Sequence, residues 1–221
     1  LKALINSKFI YEKNEAKDEL FEVIRQIITT LESAYEDLKA NYTDSDILKY
    51  AKRLNINIKE SLLAYYDEFE KLLIDVQEYE EMIQISIRHL EIKPKYIDSI
   101  LRLEEVYEKT GMFDELIYIL EEKLSITTEI DNKIPIYKKM AETALDKIND
   151  SEKAISYYNE ILKFDNKNVE IIEKLESIYE KLDQWDEVIN ILKLKIKAVE
   201  DIYSVYLKII KIIMEYTGEY E

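Results

Sequence analysis

The chain has 221 residues, of which only 2 are glycine and 2 are proline, so there is little room for long loops or tight strand turns. Hydrophobic residues make up 47% and charged residues 35%, a balance typical of helices with one buried and one solvated side. The sequence has no cysteine, which excludes disulfides, thiolate metal sites and a cysteine nucleophile. The net charge of −16 disfavours nucleic acid as a partner, and no segment approaches the roughly 18 apolar residues of a membrane span.

The first 57 residues predict helices that repeat less regularly than the rest of the chain. A short helix is expected from Leu4 to Glu12, and a long one from Glu15 to about Asn41, with apolar residues at helical spacing. The run from Asp44 to Asp46 predicts the cap of a further helix that ends near Leu54. We interpret residues 1–57 as diverged N-terminal helical repeats.

Beyond residue 57 a signature returns four times: an aromatic or small residue, an acid, a charged residue and, four places after the first, an isoleucine. Its copies lie 34, 38 and 34 residues apart, a period typical of stacked helix pairs that bury their apolar faces against their neighbours. We therefore expect the isoleucine to be an interior position in every copy. The copies begin at Tyr79, Phe113, Ser151 and Trp185, and their isoleucines are Ile83, Ile117, Ile155 and Ile189.

Each signature follows another predicted helix, and a short turn separates the two. The preceding helices are marked by buried positions at Phe69, Leu103, Met140 and Leu175. Gly111 is expected to end its helix, because glycine adopts the left-handed conformation without steric cost, and Asn149 and Asp183 take its place in other copies.

Two prolines predict breaks between helices. Pro94 lies between two predicted helices, and Pro135 follows Asp131 and Asn132 in a similar context. The four additional residues in the 38-residue interval predict a longer connection there or a lengthened following helix.

The sequence thus predicts an all-α fold of about 12 helices in antiparallel pairs. We divide it into repeats at about 58–94, 95–130, 131–167 and 168–199, with an incomplete repeat at 200–221. The last complete helix carries apolar residues, including Val205, Tyr206, Ile209 and Ile210, for which the sequence supplies no covering helix. We expect the parent chain to continue on both sides, and the isolated segment to self-associate or fray at its C-terminal end.

The stretch from Glu152 to Asn168 resembles a tetratricopeptide repeat, a helix-turn-helix unit of about 34 residues. It has the family's small residue at Ala154 and the aromatic residue four places later at Tyr158, and Pro94 matches the family's terminal proline. The resemblance covers about 58–221 and implies a right-handed superhelical solenoid. Other copies depart from the pattern: Met82, Leu116 and Val188 replace Ala154, and Glu70, Glu104 and Glu176 stand where the family has glycine or alanine.

Some members of this family bind a C-terminal carboxylate through Lys, Arg and Asn side chains on the first helices of successive repeats. The corresponding positions here are Asp67, Lys71, Asp75, Asp98, Leu101, Glu105, Glu170, Glu173 and Ser177. These positions are mostly acidic, which disfavours a carboxylate clamp and favours a groove for a basic or mixed-charge peptide. The candidate partner-binding residues are Asp67, Lys71, Asp98, Arg102, Glu105, Glu170, Glu173 and Lys174.

Residues with catalytic potential are scarce. His89 is the only histidine, and without cysteine it predicts neither a zinc site nor a catalytic triad, so we expect a helix residue at the edge of an interface. The sequence contains no glycine-rich phosphate loop, nucleophile elbow or calcium loop. We therefore predict no catalytic, cofactor-binding or metal-binding residues.

The 18 tyrosines suggest packing more often than recognition. Three of them, Tyr107, Tyr158 and Tyr179, occupy repeat positions that we expect to pack between helices, and Trp185 is interpreted in the same way. The others include candidates for contact with a partner, since tyrosine is enriched at interfaces; we single out Tyr65, Tyr66 and Tyr96.

The sequence therefore favours a non-catalytic scaffold or adaptor that binds a partner peptide or domain along a solenoid groove. One alternative is the non-catalytic helical arm of a larger enzyme, which sequence outside this chain would decide. A second is a helical-repeat scaffold for RNA processing, which salt-sensitive RNA binding would support. The partner and the cellular compartment stay open.

Overall fold

The computed structural model describes residues 1–13, 16–41 and 58–217. Every regular element in these ranges is helical, which confirms the predicted all-α fold class. Two π-helical segments, Ala144–Ile148 and Ile213–Thr217, extend the helices α7 and α11. Eleven α-helices are described: α1 Lys2–Lys13, α2 Lys17–Asn41, α3 Ile58–Asp75, α4 Tyr79–Ile92, α5 Ile97–Thr110, α6 Phe113–Ile126, α7 Ile130–Thr143, α8 Ser151–Phe164, α9 Val169–Lys181, α10 Trp185–Lys195 and α11 Ile202–Ile212.

The two N-terminal helices confirm the predicted short and long helices in that region. The predicted cap at Asp44 to Asp46, and the helix expected to end near Leu54, lie outside the described residues. Among the helices that the structure describes, none combines the length and apolar character needed to cross a bilayer.

The chain divides into two compact units, Leu1–Thr110 and Gly111–Glu221. This boundary falls inside the predicted repeat 95–130, and the predicted division at residue 57 stays a prediction. The handedness of a superhelix stays a prediction as well.

The first unit is a row of helices in which each packs on its neighbours along the chain. The long helix α2 lies between α1 and α3, and α4 lies between α3 and α5. Its core brings together buried residues from four helices, because each helix carries apolar residues at helical spacing along one side. These residues include Ile24, Ile27 and Leu31 of α2, Leu62, Phe69 and Leu73 of α3, Met82 and Ile85 of α4, and Val106 of α5.

The second unit repeats this arrangement. The second helix of each pair lies between two first helices: α8 between α7 and α9, and α10 between α9 and α11. The side chains of Met140, Ala154, Tyr158, Leu175 and Val188 are fully buried in this unit. Each pair is therefore covered partly by its neighbour, as expected for stacked helical hairpins.

The predicted markers of the first helices are confirmed, since Phe69, Leu103, Met140 and Leu175 are all buried. The predicted interior position of the second helices is displaced by one residue. Of the four isoleucines only Ile117 is buried, and the other three are half-buried. The fully buried position is the one immediately before, occupied by Met82, Leu116, Ala154 and Val188.

The turns within the hairpins share a left-handed residue that recurs at the repeat spacing. Gly111 (φ +74°), Asn149 (φ +60°) and Asp183 (φ +54°) confirm the predicted helix ends. A fourth residue, Gln77 (φ +64°), occupies the equivalent place in the α3–α4 turn. There the Gln77 N–H donates to the Ile74 carbonyl and the Glu78 N–H to that of Leu73, the hydrogen bonds of a Schellman turn.

The additional length in the 38-residue interval lies in a lengthened helix. Helix α7 and its π-helical extension together run from residue 130 to 148, whereas α5 and α9 have 14 and 13 residues. Pro94 lies between α4 and α5 as predicted, but Pro135 lies inside α7. The expectation that Pro135 separates two helices is therefore wrong; the helix begins at Ile130, five residues before the proline.

Candidate functional site

In the first unit the structure brings three of the candidate contact residues together. Asp67 accepts a hydrogen bond from Lys71 Nζ at 2.6 Å on the same helix, and another from Arg102 Nη2 at 2.7 Å on α5. Burial alone would raise the pKa of the Asp67 carboxyl, but these two cationic donors outweigh it and hold the pKa below its usual value. Arg102 is only 12% exposed, so it serves the fold as well as the surface.

The other two candidates in this unit, Asp98 and Glu105, are exposed on α5. They lie seven residues apart, so two helical turns place them on the same side of the helix. The Glu105 carboxylate accepts a hydrogen bond from Lys109 Nζ at 2.6 Å. The Tyr96 hydroxyl donates a hydrogen bond to Asp67 Oδ1 at 3.4 Å, and burial together with the neighbouring carboxylates of Asp98 and Asp67 raises the pKa of Tyr96 to about 12.

In the second unit the candidates Glu170, Glu173 and Lys174 are exposed on α9. Glu170 accepts from Lys138 Nζ of α7 at 2.5 Å, and Glu173 lies 3.0 Å from Lys195 Nζ of α10. Of the five candidate acids, only Asp98 has no ion pair to a lysine or arginine among the described residues. The first helices thus present paired charges rather than bare acids.

Beneath this surface the first unit contains a buried polar cluster that sequence analysis missed. The carboxylate of Glu70, a fully buried residue of α3, contacts His89 Nδ1 of α4 at 3.0 Å and accepts a hydrogen bond from Ser99 Oγ of α5 at 3.0 Å. The Arg102 guanidinium also donates to this carboxylate. The expectation that His89 lies at an interface edge is wrong, because its ring is buried between Tyr66 and Tyr96.

The combination of Ser99, His89 and Glu70 has the residue types of a catalytic triad but not its geometry. In a triad the serine contacts one ring nitrogen and the acid contacts the other. Here both Ser99 Oγ, at 3.1 Å, and the Glu70 carboxylate lie on Nδ1, and all three side chains are buried. The cluster therefore connects packed helices in the core, and a substrate has no access to it.

The predictions for the tyrosines are confirmed for some residues and wrong for another. Tyr107, Tyr158 and Tyr179 are buried, as predicted. Tyr66 is not an interface candidate, since it is fully buried and its hydroxyl donates to Glu32 at 2.5 Å. Trp185 stacks on Tyr216 with ring centroids 4.0 Å apart, consistent with its predicted structural role.

The second unit contains a cluster of the same design. Glu176 of α9 accepts a hydrogen bond from Lys195 Nζ of α10 at 3.0 Å and another from Lys208 Nζ of α11 at 2.5 Å. Burial would raise the pKa of Glu176, but the two ammonium groups outweigh it and lower the pKa. Lys208 also lies 2.6 Å from Glu180.

The two clusters use the same spacing along the chain. Glu70 contacts residues 19 and 32 positions later, and Glu176 does so as well. The first partner lies on the second helix of the same pair, and the second partner lies on the first helix of the next pair. One glutamate therefore connects three consecutive helices in each unit.

The third repeat shows what the glutamates replace. Met140 and Leu175 occupy equivalent buried positions, and Ala141 and Glu176 are the residues that directly follow them. Ala141 is therefore the equivalent of Glu176, and it is fully buried without a charge. The equivalent of Lys195 is Ile161, also fully buried. A signal was present in the sequence: wherever glutamate replaces the small residue, a basic residue follows 19 positions later, at His89, Lys123 and Lys195.

The first unit also has an open groove, of about 650 Å³, which sequence analysis did not anticipate. Its polar lining comes from one side of α2, where Arg25 is fixed by two hydrogen bonds to Glu81 at 2.6 and 2.7 Å. Among the described residues no group of three or more histidine or acidic side chains could hold a metal ion. The groove is lined by Leu4, Glu22, Arg25, Gln26, Thr29, Thr30, Ser33, Ala34 and Asp37.

No protein-family model and no curated protein sequence matches this chain. Among solved structures it is similar to the MamA protein, at 16% identity and a TM-score of 0.43 over 69% of this chain and 81% of that one. It is also similar to YrrB, described as a TPR protein with an unusual peptide-binding site, at 14% identity and a TM-score of 0.43 over 78% and 84%. A tetratricopeptide repeat protein from Parabacteroides merdae ATCC 43184 matches at 12% identity and a TM-score of 0.42 over 96% and 72%.

Proposed function

We propose that this chain is a non-catalytic scaffold that binds a protein partner along the exposed side of its first helices. The observation that carries the proposal is that α5 and α9 bury one side in the core and expose charged residues on the other. Asp98 and Glu105 lie on the exposed side of α5, and Glu170, Glu173 and Lys174 on that of α9. Because a buried cluster fixes each of these helices to its neighbours within its own unit, the exposed side of each helix is formed before a partner binds, which limits the entropy lost on binding.

A segment that carries both charges, with an excess of basic residues, fits the exposed side of each of these helices best. Most of the candidate acids on these helices already pair with lysines of the same chain, including Glu105 with Lys109 and Glu170 with Lys138. Exposed ion pairs are weak, so the lysines of a partner can replace these lysines while its acids take up the released ones. The net charge of −16 attracts a basic partner at long range.

The test is a comparison of two variants with the same change in charge. Asp98→Lys combined with Glu105→Lys reverses the exposed side of the first helix α5. Glu80→Lys combined with Glu91→Lys makes the same change on the second helix α4, where both acids are exposed. Proteins captured from a lysate of the source cells are identified for the wild type and both variants, and their affinities are then measured with purified partner.

We expect the α5 variant to lose its partner and the α4 variant to keep it. The interaction of the wild type should weaken as salt rises, because the long-range part of the attraction is screened. Equal affinity of both variants for the same partner would refute the proposed surface. The absence of any specific partner in the wild-type sample would refute the scaffold function.

A further inference from the structure

Helix α6 of the second unit exposes a large aromatic side chain in the middle of its solvent side. The opposite side of the helix is buried through Leu116, Ile119 and Leu120, whereas Tyr118 is 63% exposed. Tyr118 lies five places after the first residue of the repeat signature. At this place the other second helices expose small or polar residues, which are Gln84 in α4, Ser156 in α8 and Asn190 in α10.

Acidic residues surround Tyr118 on its own helix. The positions three and four residues away, before and after the tyrosine, lie one turn from it on the same side of the helix. All four positions are acidic, and none of the four acids forms an ion pair with a lysine or arginine of the described residues. These acids are Asp114, Glu115, Glu121 and Glu122. At the equivalent positions each of the other second helices carries a basic residue: Arg88, Lys153 and Lys193.

A second tyrosine, on the neighbouring helix α8, borders this surface. Tyr157 is half-buried, and its hydroxyl donates to Glu121 Oε1 at 3.2 Å. Burial and the Glu121 carboxylate raise the pKa of Tyr157 to about 12, so its hydroxyl stays protonated and donates at neutral pH. The Glu121 carboxylate is therefore held in one position, one turn from Tyr118, before a ligand binds. The other second helices have buried isoleucines in place of Tyr157: Ile85, Ile119 and Ile191.

An exposed aromatic ring flanked by unpaired carboxylates is suited to a guanidinium group. Cations are attracted to the face of an aromatic ring, and arginine makes this contact more often than lysine because its planar group stacks on the ring. The same group can donate two parallel hydrogen bonds to one carboxylate, which the ammonium group of lysine cannot do. The net charge of −16 attracts any cation, so the ring is the feature that favours arginine over lysine.

We propose that the exposed side of α6 binds an extended, arginine-containing segment of a protein partner, with one arginine stacked on Tyr118. The acids four residues before and four residues after Tyr118 are about 12 Å apart along the helix axis. Alternate side chains of an extended segment point the same way and are about 6.7 Å apart, so three of them span this length. The central one is the arginine, and the outer two are basic residues that pair with the acids at either end. This surface lies on a second helix and does not depend on the first-helix surface of the proposed function.

The test uses three labelled peptides of equal charge, capped at both ends, in a fluorescence anisotropy titration at low salt. The first, Lys-Ser-Arg-Ser-Lys, has basic residues at alternate positions and arginine in the centre. The second has lysine in the centre. The third, Ser-Lys-Arg-Lys-Ser, has the composition of the first but places its basic residues next to one another. We expect the first peptide to bind the wild type several-fold more tightly than either of the others.

Three variants of the protein locate the binding. Tyr118→Leu keeps an apolar side chain but removes the aromatic face, and it should abolish the preference for a central arginine. Asp114→Asn combined with Glu115→Gln should weaken binding of the first peptide several-fold. The matched control, Asp186→Asn combined with Glu187→Gln, makes the same change at the equivalent exposed positions of α10 and should leave binding almost unchanged. Circular dichroism checks that every variant keeps the helical content of the wild type.

The outcomes separate a specific arginine site from attraction by net charge. Equal binding of the three peptides to the wild type, or an equal loss in the α6 and α10 double variants, would overturn the proposal. So would the absence of binding at low salt, or a preference for arginine that survives Tyr118→Leu. Because Asp98 and Glu105 are unchanged in all these proteins, the result is independent of the test of the first-helix surface.

Discussion

At the scale of single residues, the buried glutamates are the main departure from an ordinary helical repeat. A buried carboxylate is unfavourable unless cations and hydrogen-bond donors surround it. Glu70 has His89, Ser99 and Arg102 around it, and Glu176 has two lysines. Ala141 and Ile161 fill the same positions with apolar atoms alone. We therefore expect the charged version to specify the register between consecutive helices, in addition to their separation.

This comparison predicts what happens to stability when the charged cluster around Glu176 is replaced by the apolar residues of the third repeat. Lys195→Ile alone leaves the buried Glu176 with one cation fewer, and we expect the free energy of unfolding to fall by about 2 kcal/mol. Glu176→Ala together with Lys195→Ile reproduces the Ala141 and Ile161 pair and should return stability to within about 1 kcal/mol of the wild type. Urea denaturation of the three proteins measures both values.

An exposed lysine provides the control for this experiment. Lys163 pairs with Glu160 on the surface of α8 at 2.5 Å, and Lys163→Ile should change stability by no more than about 0.5 kcal/mol. Additive losses from Glu176→Ala and Lys195→Ile, with no recovery in the double variant, would contradict the exchange.

The lowered pKa of Glu176 predicts how stability depends on pH. Because the folded value lies below the ordinary value of 4.5, the contribution of this group is fully present above about pH 4.5 and is lost as the pH falls through the folded pKa. The difference in unfolding free energy between the wild type and Glu176→Gln should therefore shrink between about pH 5 and pH 3. Thermal unfolding of both proteins across this range measures it, and a difference that stays constant would refute the ionic role.

At the scale of the elements, the turns are defined by residues with a left-handed backbone. Glycine has no steric penalty there, while other residues lose about 1 kcal/mol. We expect Gln77→Gly to stabilise the protein by up to about 1 kcal/mol, and Gly111→Ala to destabilise it by a similar amount. A Cβ at Gly111 would meet only the Phe113 ring, at 3.8 Å, so the expected loss comes from the backbone and not from a clash.

Chemical denaturation of the two variants measures these effects. Asn149→Gly is a useful companion, because asparagine tolerates the left-handed region and should gain less than Gln77 does. Destabilisation by Gln77→Gly would show that the glutamine side chain has a role beyond the turn.

The elements show which features a sequence can predict. Periodicity and turn residues predicted the described helices and three of the four left-handed residues in the hairpin turns, because both depend on neighbours along the chain. Gln77 was missed because glutamine carries no turn signal. Pro135 was misassigned because α7 begins five residues before it and continues through it, although proline cannot donate a backbone hydrogen bond there. The predicted isoleucines were one residue from the buried position because both positions are apolar in all four copies.

At the scale of the whole molecule, the candidate site was only partly predictable, because a sequence does not show which charged side chains form ion pairs. The acids at Asp67, Glu170 and Glu173 could be assigned to first helices from their repeat positions. Their partners Arg102, Lys138 and Lys195 lie on other helices, at distances along the chain of 22 to 35 residues. The sequence shows that these charged residues are present but not which of them form ion pairs. Positions that carry paired charges were therefore predicted to form a mostly acidic groove.

The overall charge still predicts whether the chain binds nucleic acid, and a measurement of RNA binding therefore distinguishes the proposed protein-binding scaffold from an RNA-processing scaffold. RNA affinity comes largely from lysine and arginine displacing counterions, and here 31 basic residues are opposed by 47 acidic ones. Several of the basic residues at the candidate surface are also held in ion pairs, including Arg102 and Lys138. We expect no binding of a labelled single-stranded RNA of about 20 nucleotides at about 0.15 M salt in a fluorescence anisotropy titration. Binding that weakens with salt at a slope of about −0.7 per phosphate contacted would instead reveal a basic surface and support the RNA-processing alternative.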